Sequence, residues 1–247
     1  MSRSLETVNR ALPHLPVKVL PRGELFLYRD FLDDYFSRDQ GDYLKQQAVA
    51  AKRLGLSLVG VELVDKTSLV VINKKNCQVL NPFYTVGRLD GPMAGWIEAV
   101  GFLKAMLSTK NNPSLFSEMA AAWVRLAEKT VEQAKISGSQ AIAITDDIAG
   151  KQGLFFSPDY FQEEVWPVYK TIIETIKDRG LAAFFHSGGD IRKIIPLLIE
   201  GGFDCLHPVD TLAGMDLYEL KRDFGGKSLS SRRPDIRIRR RSVGENG

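Results

Sequence analysis

Over the second half of this chain, apolar and polar positions settle into a regular alternation. From residue 140 onward, short apolar runs (AIAIT at 141–145, LAAFF at 181–185, FDCL at 203–206) alternate with longer segments at 158–179, 191–200 and 216–224, where apolar residues recur at helical spacing. The short runs read as buried strands and the longer ones as amphipathic helices. Strands alternating with helices imply a parallel sheet. The first half keeps the rhythm less cleanly. A helix is predicted over 2–12, closed by Pro13 and Pro16, then a strand over 17–20, helices over 28–36 and 43–54 with Gly55 as the stop, and a strand over 56–61. Residues 68–72 and 77–80 flank a polar NKKN turn and predict a hairpin that interrupts the alternation. A strand over 84–89 follows, then helices over 94–108 and 113–136, with Ser114 and Glu118 supplying cap chemistry to the second.

About six strands could share one sheet, fewer than the eight of a closed (β/α)8 barrel. Either the barrel is incomplete or the sheet is open. With 247 residues, 44% of them hydrophobic, the chain can bury the core of one large α/β domain or two small ones. The formal charge of +3 invites a nucleic-acid reading until it is located. Residues 227–247 hold seven basic and two acidic side chains, which leaves 26 basic against 28 acidic in the remainder. A basic footprint confined to a terminus argues against nucleic acid as partner and for a small-molecule substrate. Cys77 and Cys205 lack zinc-finger spacing, so a reducing compartment is expected. The N-terminus carries no signal-peptide apolar run and no stretch of about 18 apolar residues occurs, so the expectation is a cytoplasmic protein without a membrane span.

Candidate chemistry gathers where the strands end. Asp146 and Asp147 follow AIAIT, His186 follows LAAFF, and His207 and Asp210 follow FDCL. In parallel α/β folds the carboxyl ends of the strands face the ligand. The Asp146/Asp147 pair reads either as a turn with an N-cap or as an acid/base pair whose mutual proximity and burial raise one pKa, beside Gly150 and Gly153 that let backbone approach a ligand. His186 reads as a hydrogen-bonding pocket wall, a substrate contact or a metal ligand. Asp210 lies close enough to His207 to fix its tautomer. Cys205, two residues before His207, shares its strand face but reads as a buried apolar residue. Asp90, ending the strand over 84–89, and Arg22 and Glu24, ending the first strand, are candidate substrate contacts, whereas Trp96, Trp123 and Trp166 fall within helices and read as core.

The pieces DD at a strand end, SPDYFQEEVWPVYK, FFHSGG, and CLHPVD before AGMDLYELKRDFG together resemble the uroporphyrinogen decarboxylase superfamily, and within it the corrinoid-dependent methyltransferase branch. LDGPMAGW fits the same pattern more loosely; the resemblance covers 84–227 well and 5–65 weakly. It implies a TIM barrel over 1–226, incomplete at its C-terminal end. The tail over 227–247, foreign in composition, is then expected to be disordered or non-native, from a frameshift or truncation.

The resemblance further implies methyl transfer between a corrinoid protein, whose methylcobalamin supplies the hard chemistry, and a thiol or folate-type acceptor. His186 and the Asp146/Asp147 pair would contact metal or acceptor. Such enzymes hold zinc with a His-x-Cys pair and a later Cys; here Gly188 stands at the second position, so His186 is the one ligand that survives. A uroporphyrinogen decarboxylase is the alternative, but the segment matching its arginine-rich MRQAGR stretch is VKVLPRGELF, one arginine beside a glutamate, which suits an eight-carboxylate substrate poorly. An inactive relative or binding protein is the third.

Overall fold

The computed structural model of the chain describes residues 2–36, 42–63, 77–224 and 235–236. Helix α1 (Arg3–Ala11) opens on Ser2, whose Oγ accepts the Leu5 amide and donates to the Pro82 carbonyl, so the cap also ties the helix to the sheet. Strand β1 (Gly23–Glu24), helices α2 (Arg29–Tyr35) and α3 (Tyr43–Arg53), and strand β2 (Leu58–Glu62) follow. Gly55 ends α3 with a φ of +64°, the left-handed stop its position predicts. After β3 (Tyr84–Asp90) come α4 (Pro92–Val100), α5 (Phe102–Asn111), α6 (Leu115–Glu118) and α7 (Ala120–Ser137). Strand β4 (Ala141–Thr145) leads into a hairpin, β5 (Ala149–Gly150) with β6 (Gly153–Leu154). Next are α8 (Pro158–Tyr160), a π turn (Phe161–Val165) and α9 (Trp166–Asp178). Strands β7 (Ala182–His186), β8 (Cys205–His207) and β9 (Asp235–Ile236) alternate with α10 (Ile195–Glu200) and α11 (Leu217–Phe224).

Strands β1, β2, β3, β4, β7, β8 and β9 form one seven-stranded parallel sheet in that order, an open and incomplete barrel of the (β/α)8 type. Side chains alternate between its faces. The outer face, with Val59, Val61, Ile142, Ile144, Ala183, Phe185 and Leu206, packs under the helices in the larger core. The inner face carries Tyr84, Val86, Ala141, Ala143 and Phe184, closed by Val8 of α1 and by Leu25. Parallel strands buried on both faces explain why their sequence runs are continuously apolar rather than alternating.

Four expectations need correction. Residues 17–20 form no strand: Val19 and Leu20 are exposed, and Gly23–Glu24 pair with β2 instead. Residues 77–80 form a helical turn, not a hairpin arm, packed on α3 through buried Cys77 and Leu80; residues 68–72 lie outside the described chain. The helix predicted over 94–108 is two helices, broken at Gly101, whose φ of +86° and ψ of +147° suit glycine alone. The Ser114 hydroxyl donates to Asn112 and Glu118 side chains and caps no amide. Of residues 227–247, Asp235 and Ile236 are described, and they pair in parallel with Cys205 and Leu206.

Candidate active site at the strand ends

The sheet register places the candidate residues in rows. Asp90 pairs with Thr145, Thr145 with His186, and His186 with His207, so these four side chains form one polar row across the carboxyl ends of β3, β4, β7 and β8. The row beneath runs Glu62, Arg88, Ala143, Phe184, Cys205, and the one below that Gly60, Val86, Ala141, Ala182. Polarity therefore rises by rows toward the carboxyl end, where barrel enzymes place their chemistry. Cys205 shares the inner face with His207, half-buried against the apolar cluster, as a core residue would.

His186 and His207 form the centre. Their Nδ1 atoms are 2.7 Å apart and the rings stack at 5.0 Å. One imidazole must donate and the other accept. Phe26 stands edge-on to His186 at 4.7 Å and tilted to His207 at 6.4 Å, and the Arg88 guanidinium lies 5.0 Å from the centre of the same ring. His186 Nε2 faces Asp147 Oδ1 at 3.8 Å; the Asp147 side chain is 71% exposed and is held by the Gly188 amide at 2.7 Å. Burial lowers the His186 pKa, Arg88 adds to that, and Asp147 opposes it. Burial and neighbouring His186 bring His207 down to about 4. Both imidazoles are thus neutral at neutral pH, placed to accept a proton. Once His186 takes it up, it donates from Nδ1 to His207 and presents Nε2–H to Asp147.

Asp146 does something else. It is fully buried, and its carboxylate accepts the Met93 amide at 3.0 Å, the Ala94 amide at 2.6 Å and the Tyr169 hydroxyl. It therefore caps α4 from a neighbouring strand, satisfying first-turn amides that Gly91, the residue at the N-cap, cannot. The contact needs glycine at 91, because a Cβ there would lie 2.2 Å from the Asp146 Cβ. Burial pushes the Asp146 pKa up to about 7 against the lowering effect of its hydrogen-bond donors. Its amide binds the His186 carbonyl at 2.8 Å, so Asp146 positions the strand ends and, being fully buried, does not face the mouth. Ser187, also fully buried, continues this framework by accepting the Ile148 amide and donating to the Gly188 carbonyl.

Asp210 accepts the Gly189 amide with one oxygen and the Leu212 and Ala213 amides with the other, which fixes the loops after β7 and β8 to each other. No bond from it to His207 is seen; His207 is oriented by His186. Glu24 registers with Val59, an outer-face residue, and its carboxylate takes the Phe26 amide at 3.4 Å, so it turns away from the mouth. Arg22 precedes β1, and its carbonyl accepts the Ser57 and Leu58 amides at the amino ends of the strands, the far end from His186. Gly150 and Gly153 lie in the β5–β6 hairpin, where Gly189 packs so closely on Ala149 and Gly150 that a Cβ would lie 2.5 Å from Ala149 backbone. The tryptophans 96 and 166 are core.

Sequence reasoning missed Arg88, Phe26 and Thr145. Arg88 and Thr145 were accessible through strand alternation, since Arg88 lies two residues before Asp90; nothing local marks Phe26. Among the described residues, no group of three His, Cys, Asp or Glu side chains is placed to hold a metal ion, so the zinc implied for His186 with Gly188 does not fit the donors there. No helix among those residues is long and apolar enough to cross a membrane. A cleft of about 480 Å³ opens at the opposite, amino end of the sheet, lined by Leu12, Tyr84, Gln140, Ala182 and Asp204, away from the histidine pair.

Fold and row order together define an open α/β barrel with a polar cluster at its strand ends. Among solved structures the chain is similar to a methyltransferase from Methanosarcina mazei, with a TM-score of 0.65 and 14% identity, over 84% of this chain and 76% of that one. It is also similar to a sugar phosphate isomerase/epimerase from Parabacteroides distasonis, with a TM-score of 0.52 and 10% identity, over 85% and 76% of the two chains. Both likenesses are of fold. No protein-family model matches the chain, and no curated protein matches it in sequence.

Proposed function

We propose that the chain is a methyltransferase-like barrel whose strand-end site activates a small acceptor, a thiol or a folate-type amine, for methyl transfer to or from a corrinoid protein. The observation that carries this reading is the neutral His186–His207 pair, backed by Asp147, at the carboxyl ends of the strands of a fold similar to a methyltransferase. A thiol with an ordinary pKa of about 8.5 is a poor nucleophile until deprotonated. A buried neutral imidazole can take that proton, and the charge so formed on His186 is met by Asp147 and shared with His207. Methylcobalamin on a partner protein would supply the methyl group. Zinc has no role in this scheme, because the residues around His186 do not make a metal site. The decarboxylase alternative loses support, since Arg22 sits at the wrong end of the sheet.

The test is demethylation of free methylcobalamin by 2-mercaptoethanol, followed by its visible spectrum. The protein is expected to accelerate the reaction over thiol alone, and His186→Gln to remove about 10²-fold of that acceleration, the usual scale for a general base. A rate equal to the protein-free control sinks the proposal.

A further inference from the structure

We propose that Arg88 is the specificity-determining anchor for an anionic group, a carboxylate or similar oxyanion, on the small molecule bound beside the histidine pair. This rests on the acceptor-site reading above. Arg88 belongs to the second row of the inner face, between Glu62 on β2 and Ala143 on β4. Ala143 is too short to compete for the guanidinium. The rings of Phe26 and Tyr28 hold it at 5.0 and 5.8 Å from their centres, which fixes the plane of the group by cation–π contact. Its ion pair to Glu62, from Nη2, is long at 3.5 Å, and Glu62 is 42% exposed. A long pair to a half-exposed carboxylate contributes little. The Nε of Arg88 is buried and has no hydrogen-bond partner among the described residues.

Arginine presents its donors as a fork, and the Nε–Nη edge matches the two oxygens of a carboxylate. With Nε unmet and Nη2 weakly engaged, that edge lacks the acceptor its geometry suits. A buried unmet donor is costly, and a site that keeps one is relieved when a ligand supplies the acceptor. Phe26 lies against both Arg88 and His186, so a short substrate laid along that ring would reach the guanidinium with its anionic end and the imidazole with its reactive end. Glu62 is displaced by the incoming anion and returns when the product leaves.

The experiment is calorimetric titration of the full chain with 3-mercaptopropionate and with 3-mercaptopropanamide, which differ in one charge and hardly in size. The carboxylate is expected to bind at least tenfold more tightly, with the preference falling below twofold in Arg88→Gln and surviving in part in Arg88→Lys. Glu62→Gln, which removes the competing carboxylate, should tighten the charged probe several-fold, and it keeps the test open if Arg88→Gln does not fold. Equal binding of the two probes overturns the role of Arg88 while leaving the acceptor site standing, as does a charge preference that persists in Arg88→Gln. Binding of neither probe overturns both readings.

Discussion

Replacing Asp146 by alanine should destabilise the protein by an amount that shrinks as the pH rises. The substitution strands the Met93 and Ala94 amides and the Tyr169 hydroxyl in a buried site. Loss of a helix cap costs about 1 kcal/mol, and each further buried donor left unmet about 1–3 kcal/mol, so the loss amounts to several kcal/mol when the carboxyl is protonated in both folded and unfolded chains. Its pKa is near the ordinary 3.8 when unfolded and about 7 when folded, raised chiefly by burial. Between these values the native state holds a proton that the unfolded state has released, so the wild-type chain loses stability as pH rises through this window. A rise of that size corresponds to something on the order of 4 kcal/mol. The alanine variant lacks this group, and every other titrating residue is common to the two proteins. Urea denaturation followed by circular dichroism at pH 4.5, 5.5, 6.5 and 7.5 should therefore show a gap of several kcal/mol at pH 4.5 that narrows by pH 7.5. A constant gap would refute the raised pKa. A gap that widens with pH would mean that the three donors outweigh burial.

Two other expectations follow from the same geometry. Gly91→Ala places a Cβ 2.2 Å from the Asp146 Cβ and Cγ, and should cost about 1–3 kcal/mol in chemical denaturation, as overpacking does; combined with Asp146→Gly it should show a coupling energy above about 1 kcal/mol, and strict additivity would refute the contact. The imidazole proton resonances of His207 should titrate with a midpoint near 4, and stability should rise between that pH and about 6.5, because the unfolded chain binds the extra proton there. A midpoint near 6.5 would show that the ring is solvated.

The parallel sheet was legible because its central strands are buried on both faces and so read as unbroken apolar runs. The edge strand β1 was not: it is two residues long, one of them Gly23, and its apolar neighbours Val19 and Leu20 face solvent. Gly101 was legible only as a glycine in an apolar window, since the break it makes depends on a φ that periodicity does not register. At the site, strand ends pointed to His186, His207, Asp90 and Asp147. They failed to separate Asp146 from Asp147, because both lie in the loop just past β4, where local sequence does not say which side chain turns inward. Phe26 arrives from a loop far along the chain, and its place against both histidines is set by tertiary packing alone.

The rows on the inner face also divide labour. The lower rows are apolar, Gly60, Val86, Ala141 and Ala182 with Leu58 and Tyr84 beneath them, and α1 closes this end of the face through Val8, Leu5 and Leu12. Stability of the open barrel therefore depends on α1, which covers a face that further strands would enclose in a closed barrel. The top row is free of that duty. Its Asp90, Thr145, His186 and His207 are held by the strand register, by the Asp146 cap beneath and by the Asp210 tether between loops. A substitution in α1 should thus lower stability and leave the His207 titration in place, whereas one at Phe26 should move the titration with a smaller loss of stability, because Phe26 packs on the imidazoles themselves.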